Sequence, residues 1–176
     1  MSDTQRLFLA LWPDDSLRAT LARLIKKPLR ACGGKPVPIE NLHITLLFLG
    51  ALDGSRRTCL TEGIRSVREQ PFQLRLREWE YWPRPRVVSL VAEETPAPLL
   101  RLVDRLRKIG LDCGIKVERR AFIPHLTCLR KAGRAPKAPL ARTVVWDIHR
   151  FVLARSWTLP EGARYEVVES WELGGK

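Results

Sequence analysis

Paired cysteines, acidic residues and long apolar runs are what this sequence has little of, and each shortage excludes something. The four cysteines, Cys32, Cys59, Cys113 and Cys128, form no CxxC pair and no zinc-ligand spacing. A structural zinc site and a disulfide framework are therefore not expected. The expectation is a reduced, cytosolic protein whose thiols are free, each a small buried hydrophobe. No apolar run is long enough to cross a bilayer, and no basic-then-apolar leader is read at the start, so a cytoplasmic protein without membrane contact is expected. The carboxylates nearest in sequence to two of the three histidines are Glu40 and Glu118, in no ligand pattern. A carboxylate-rich dimetal centre is not expected either.

What is present is a chain of 176 residues, 45% hydrophobic, long enough for one domain or for two small lobes sharing a core. Lys and Arg number 31 against 19 Asp and Glu, a net +12. That excess suits a polyanionic partner such as RNA, whose phosphates attract a basic surface.

Periodicity sets out the elements. Strands are expected over 5–12, 42–49, 72–79, 87–92, 125–129, 143–153 and 164–173, with Pro160 and Gly162 in the turn between the last two. Helices are expected from Asp14-Asp15 to Lys27-Pro28, over 55–68, and over 97–109 with Gly110 as terminator. Residues 115–119 read as a short strand or a link, and the basic stretch 131–139 as a mobile surface loop.

Two of the strands carry the same word. Leu42-His43-Ile44-Thr45-Leu46 and Pro124-His125-Leu126-Thr127-Cys128 both read His-x-Thr-x. A strand alternates faces, so each His shares a face with its Thr while Ile44, Leu46, Leu126 and Cys128 point the other way. The two words stand about half a chain apart, each after a helix and a connection, which suggests two similar lobes with the histidines facing across a cleft. The third histidine, His149, has no Thr at that offset and reads as a packing or surface residue.

Histidine titrates nearest neutral pH, so a facing pair holds one base and one acid. Phosphodiester hydrolysis by in-line displacement asks for that pair on opposite sides of phosphorus. Thr45 and Thr127 would donate to non-bridging oxygens. Phe8 and Trp82 are candidates to stack a base, and Arg84, Arg86 and the loop from Lys131 to Lys137 to meet RNA phosphates.

Arg6 to Ala10, Asn41 to Gly50, Trp82 to Arg86, Phe122 through Arg130, and Tyr165 to Leu173 together resemble the 2H phosphoesterase superfamily. Within it, they are similar to the bacterial and archaeal RNA 2',3'-cyclic phosphodiesterases, first described as 2'-5' RNA ligases. The resemblance implies an α+β fold: one domain, 1–176, of two interleaved lobes, with pseudo-twofold antiparallel sheets lining a central groove and helices outside. It implies metal-independent hydrolysis of an RNA 2',3'-cyclic phosphate to a 2'-phosphate without a cofactor, with reversible 2'-5' ligation as an associated reaction. His43 would be proton donor, His125 proton acceptor, and Thr45, Thr127 and Arg130 the phosphate ligands. Arg130 stands at an odd offset from Thr127, so a regular strand would turn it away. The partner implied is RNA with a cyclic phosphate end, tRNA fragments among the candidates, met by a monomer. The alternatives are a phosphoesterase for a small cyclic nucleotide or 2'-5' oligonucleotide, and a non-catalytic RNA-binding module.

Overall fold

Residues 4–160 and 162–175 are described by the structure, a computed structural model. In chain order the elements are β1 (Gln5–Leu11), α1 (Asp15–Leu29), β2 (Lys35–Pro36), a 3-10 turn (Ile39–Asn41), β3 (Ile44–Leu52), α2 (Gly54–Ile64), β4 (Phe72–Trp82), β5 (Val87–Ala92), α3 (Ala97–Asp112), β6 (His125–Arg130), β7 (Val144–Ile148), β8 (Arg150–Leu159) and β9 (Gly162–Glu172). Leu7 to Leu11 are buried on both faces of β1, as a central strand requires. Its neighbours are β3 and β8. The sheet runs β7-β4-β5-β6-β3-β1-β8-β9, and β2 pairs with β6 off that path. Every pairing is antiparallel.

The order is symmetric about its middle. The strands bearing the His-x-Thr words, β3 and β6, are neighbours, and each is backed by three further strands of its own half. The two expected sheets thus join into one. They do so through a single bridge, Ile44 opposite Leu126, while β2 covers the rest of that β6 edge by pairing Lys35 with Arg130 and Pro36 with Leu129. Beyond Ile44, β3 leaves β6, and the sheet opens there.

The helices start where their caps permit. Asp14 accepts the Leu17 N–H at 2.7 Å, and Asp53 accepts the Arg56 N–H at 2.9 Å, which satisfies first-turn donors that have no helical partner. The apolar stripe of α1 buries Leu21, Ile25 and Leu29, and that of α3 buries Leu99, Leu102, Val103 and Leu106. These stripes join the inner sheet face in one large core. A second, small cluster of Phe8, Ala10, Val152 and Ala154, flanked by Trp12 and Tyr165, lies apart from it. Among the described residues no helix is long and apolar enough to cross a membrane.

Several expectations give way. The strand expected over 143–153 is two strands that break at His149, whose carbonyl accepts the Leu173 N–H at 2.6 Å. The break carries the chain from the sheet edge, where β7 pairs with β4, to a place beside β1 in the other half. An alternating pattern reads the same whichever strand it pairs with, so this switch is invisible in sequence. Gly110 does not end α3, which runs to Asp112; the left-handed residue is Gly114, at φ +69°. Gly110 is instead a contact point, where a Cβ would stand 2.9 Å from Val117 Cγ1. The helix expected over 55–68 is shorter, ending at Ile64. Of the two readings offered for residues 115–119 the structure takes the link, with Ile115 and Val117 buried.

The cysteine expectation fails for two of the four. Cys59 of α2 and Cys113 at the end of α3 form a disulfide between the helices, closing a sequence separation of 54 residues. Their pairing depends on how two helices pack, which spacing does not encode. Cys32 and Cys128 are buried thiols as expected, and burial pushes the Cys128 thiol up to about 12.

The first four residues after β6, 131–134, are tied down by hydrogen bonds. Arg86 donates from Nε to the Ala132 carbonyl at 3.1 Å and from Nη2 to the Lys131 carbonyl at 3.2 Å. Gly133 N–H reaches the Cys32 carbonyl at 2.8 Å, and Arg134 Nε the Ala31 carbonyl at 2.7 Å.

Candidate active site

The seam between the halves builds the site. Ile44 lies opposite Leu126 at the single bridge between the halves, with His43 and Thr45 flanking it on one side of the seam and His125 and Thr127 on the other. All four line one groove of about 970 Å³, together with Arg130.

Both histidines are held at the same atom. His43 Nδ1 lies 2.7 Å from the Asn41 carbonyl, and His125 Nδ1 lies 2.8 Å from the Ile123 carbonyl. A carbonyl only accepts, so each Nδ1 carries the hydrogen, and Nε2 of the neutral ring is left as an acceptor. Asn41 is itself fixed, its Nδ2 donating to the Ala163 carbonyl of β9 at 2.8 Å.

Their surroundings differ. His43 sits in an aromatic cage: Phe8 at 5.0 Å, Tyr165 edge-on at 5.1 Å, and Trp12 stacked at 5.4 Å between ring centres. His125 has Trp82 edge-on at 5.0 Å. Burial pushes the His43 imidazolium down to about 4; the Asn41 carbonyl pulls the other way, and the charges of Arg130, His125 and Arg18 lower it further. His43 is therefore neutral at pH 7, and its Nε2 accepts the Thr45 hydroxyl at 3.1 Å.

That burial has a consequence for stability. The unfolded chain takes a proton at His43 as pH falls through about 6.5, whereas the folded chain waits until about 4. Between those values the unfolded state holds the extra proton, so stability falls toward acid, by on the order of 3 kcal/mol across the window. In urea unfolding at pH 7 and pH 4.5, His43→Gln is expected to lose less stability on acidification than the unmutated protein. Equal losses would contradict a buried neutral imidazole.

Arg130 turns toward the groove for a reason lodged in β5. Val88 pairs with Leu129, but the next residue, Ser89, pairs with Thr127, so Cys128 is an extra residue on β6. This bulge breaks the alternation. Cys128 and Leu129 are buried in succession, and Arg130 emerges on the side of His125 and Thr127. The odd offset is thereby cancelled.

The other candidates divide. Phe8 lines the groove and touches His43, though it is buried and offers little free face. Trp82 packs on His125. Arg84 is exposed and does not line the groove. Arg86 is committed to the two carbonyls after β6, so its guanidinium is structural. His149 lines a separate, smaller pocket with Trp12 and Trp146.

Other residues enter that single-residue patterns do not single out. Ser89, fully buried, donates to Thr127 Oγ1 at 3.4 Å. Phe48, 59% exposed, lines the groove near Phe8. Arg6, Lys35 and Arg164 add positive charge to its walls, against one carboxylate, Glu40, among the described residues. Among the described residues no group of three or more His, Cys, Asp or Glu is placed to hold a metal ion.

A sheet seam presenting one His/Thr pair from each half of a pseudo-twofold fold defines the two-histidine phosphoesterase class. Residues 13–160 match the 2'-5' RNA ligase superfamily, and the chain belongs to it. The RNA 2',3'-cyclic phosphodiesterase of Thermus thermophilus is 36% identical over 184 residues, covering 97% of this chain and 91% of that protein. The one of Escherichia coli is 31% identical over 175 residues, covering 98% and 99%. The crystal structure of E. coli LigT complexed with 3'-AMP superposes with a TM-score of 0.90 at 30% identity, covering 98% of this chain and 100% of that one.

Proposed function

We propose that this protein hydrolyses the 2',3'-cyclic phosphate at the end of an RNA to a 2'-phosphate. The observation that carries the proposal is the pair of histidines, each locked at Nδ1, that meet across the β3–β6 seam in one groove. The relatives named above support the substrate class.

The cyclic phosphate lies between the two rings. His125 Nε2 takes a proton from water as its oxygen attacks phosphorus. The P–O3' bond breaks, and His43 gives its Nε2 proton to O3'. The 2'-phosphate remains, and solvent restores both histidines. Because free His43 is neutral, the donated proton must arrive with the substrate, whose phosphate charge favours the imidazolium. Protonation of His43 Nε2 frees the Thr45 hydroxyl hydrogen that Nε2 had accepted, and Thr45, Thr127 and Arg130 then donate to the non-bridging oxygens, where charge builds. Ser89 supports Thr127: by donating to its oxygen it leaves the Thr127 hydrogen to point at phosphate. With an RNA 5'-hydroxyl in place of water, the same groups join a 2'-5' linkage. Both histidines come from one chain, so the site is complete in a monomer, and the lobes that supply them act as one domain. None of these steps uses a metal ion.

The test is turnover of a nucleoside 2',3'-cyclic phosphate in the presence of a chelator, with the product's phosphate located by NMR. The expected result is sustained turnover to the 2'-phosphate. No turnover, a 3'-phosphate product, or loss of activity in chelator would overturn the reading.

A further inference from the structure

The two longest stretches of this chain without an acidic residue are 16–39 and 119–146. They lie far apart in sequence, and the fold brings them together at one place. Strand β2 from the first pairs with β6 from the second, Lys35 opposite Arg130. The contact continues past the strands through Gly133 N–H to Cys32 and Arg134 Nε to Ala31. Arg86 closes the far side by holding the carbonyls of Lys131 and Ala132.

The result is a rigid basic shelf. Arg30, Lys35, Arg130, Lys131 and Arg134 are all exposed on it. The ion pairs found among the described residues, such as Arg75–Glu93, Arg101–Glu69 and Arg155–Glu166, do not involve Arg30, Arg130, Lys131 or Arg134. Concentrated positive charge of this kind repels itself, and a string of phosphates relieves that repulsion. The shelf is also continuous with the groove, because Lys35 and Arg130 line both. A polyanion whose end is held at the histidines would therefore run out over it. A lipid surface has no end to place in the groove.

We propose that this shelf binds the sugar-phosphate backbone of the RNA upstream of the reacting nucleotide. The inference rests on the cyclic-phosphate reading above and adds where the body of the substrate lies. Exposed Lys and Arg side chains on a fixed backbone neutralise phosphates without reading bases, so recognition here is of RNA length and charge, not sequence.

The experiment compares two substrates: a nucleoside 2',3'-cyclic phosphate and a ten-nucleotide RNA ending in a 2',3'-cyclic phosphate. The shelf variant is Arg30→Glu with Lys131→Glu. A control of equal charge change, Lys116→Glu with Arg142→Glu, alters two exposed cations that do not line the groove. The shelf variant is expected to lose about tenfold or more in kcat/KM on the oligonucleotide, and to show a salt dependence shallower by about two units of slope. On the mononucleotide it is expected to match the unmutated enzyme within about twofold, which also shows that it folds. The control is expected to lose much less on the oligonucleotide. Equal losses from shelf and control variants, equal losses on both substrates, or no loss on the oligonucleotide would overturn the proposal. Vesicle binding by the shelf with unchanged oligonucleotide kinetics would overturn it in favour of a membrane. If the unmutated enzyme turned over neither substrate, the cyclic-phosphate reading itself would have failed.

Discussion

His43→Ala and His125→Ala are each expected to lower kcat on a cyclic phosphate by about 10²- to 10⁴-fold, the usual worth of a positioned acid or base. The double variant should fall little further. In the proposed reaction each histidine would serve the same displacement from the opposite side of phosphorus, and an attack without protonation of O3' would be nearly as unproductive as neither. Groups acting as one unit give non-additive losses. Single-turnover rates on the four proteins measure this directly. Substitution at His43 removes a ring held in an aromatic cage, so His43→Gln serves as a check that the loss is chemical and not a collapse of the cage. Two fully additive losses, or a harmless change at either position, would mean that the two rings do not share one phosphate.

The second large effect concerns stability. Reduction of the Cys59–Cys113 bond, or its replacement by Cys59→Ser with Cys113→Ser, is expected to cost about 4 kcal/mol in the chain-entropy account for a loop of this length. For a chain of this size that lowers the melting temperature by on the order of 10 °C. Activity at 25 °C should persist, because neither cysteine lines the groove. Scanning calorimetry with and without a thiol reductant reads the shift. An unchanged melting temperature would mean that the packing of α2 on α3 holds without the bond. That packing is close in its own right: a Cβ on Gly63 of α2 would come within 2.6 Å of Ile109 Cγ2 of α3.

Much of the site was legible because its signal is local. The His-x-Thr words place two polar residues on one strand face whatever surrounds them, and Asp14 and Asp53 cap their helices through atoms three residues away. Arg130 was not legible in the same way. Its direction depends on a bulge set by the pairing of β6 with β5, and nothing within β6 announces it. Nor was the role of Arg86, whose guanidinium belongs to a loop 45 residues later, or of Ser89, which matters only because β5 lies beside Thr127. The hydrogen bonds that tie residues 131–134 after β6 were not legible for the same reason: they come from residues 31, 32 and 86.

The sequence by itself determined the two His-x-Thr words, the alternation that turns their polar residues to one side, the amphipathic helices and the excess of positive charge. Those follow from the 2- and 3.6-residue repeats of the backbone and from side-chain chemistry, which a chain carries before it folds. Only the tertiary structure decided that β3 and β6 are neighbours, that a bulge aims Arg130, that burial holds His43 neutral, that Cys59 meets Cys113, and that two acid-free stretches fuse into one basic shelf. Each of these depends on which distant residues come to lie side by side, and no local periodicity encodes that.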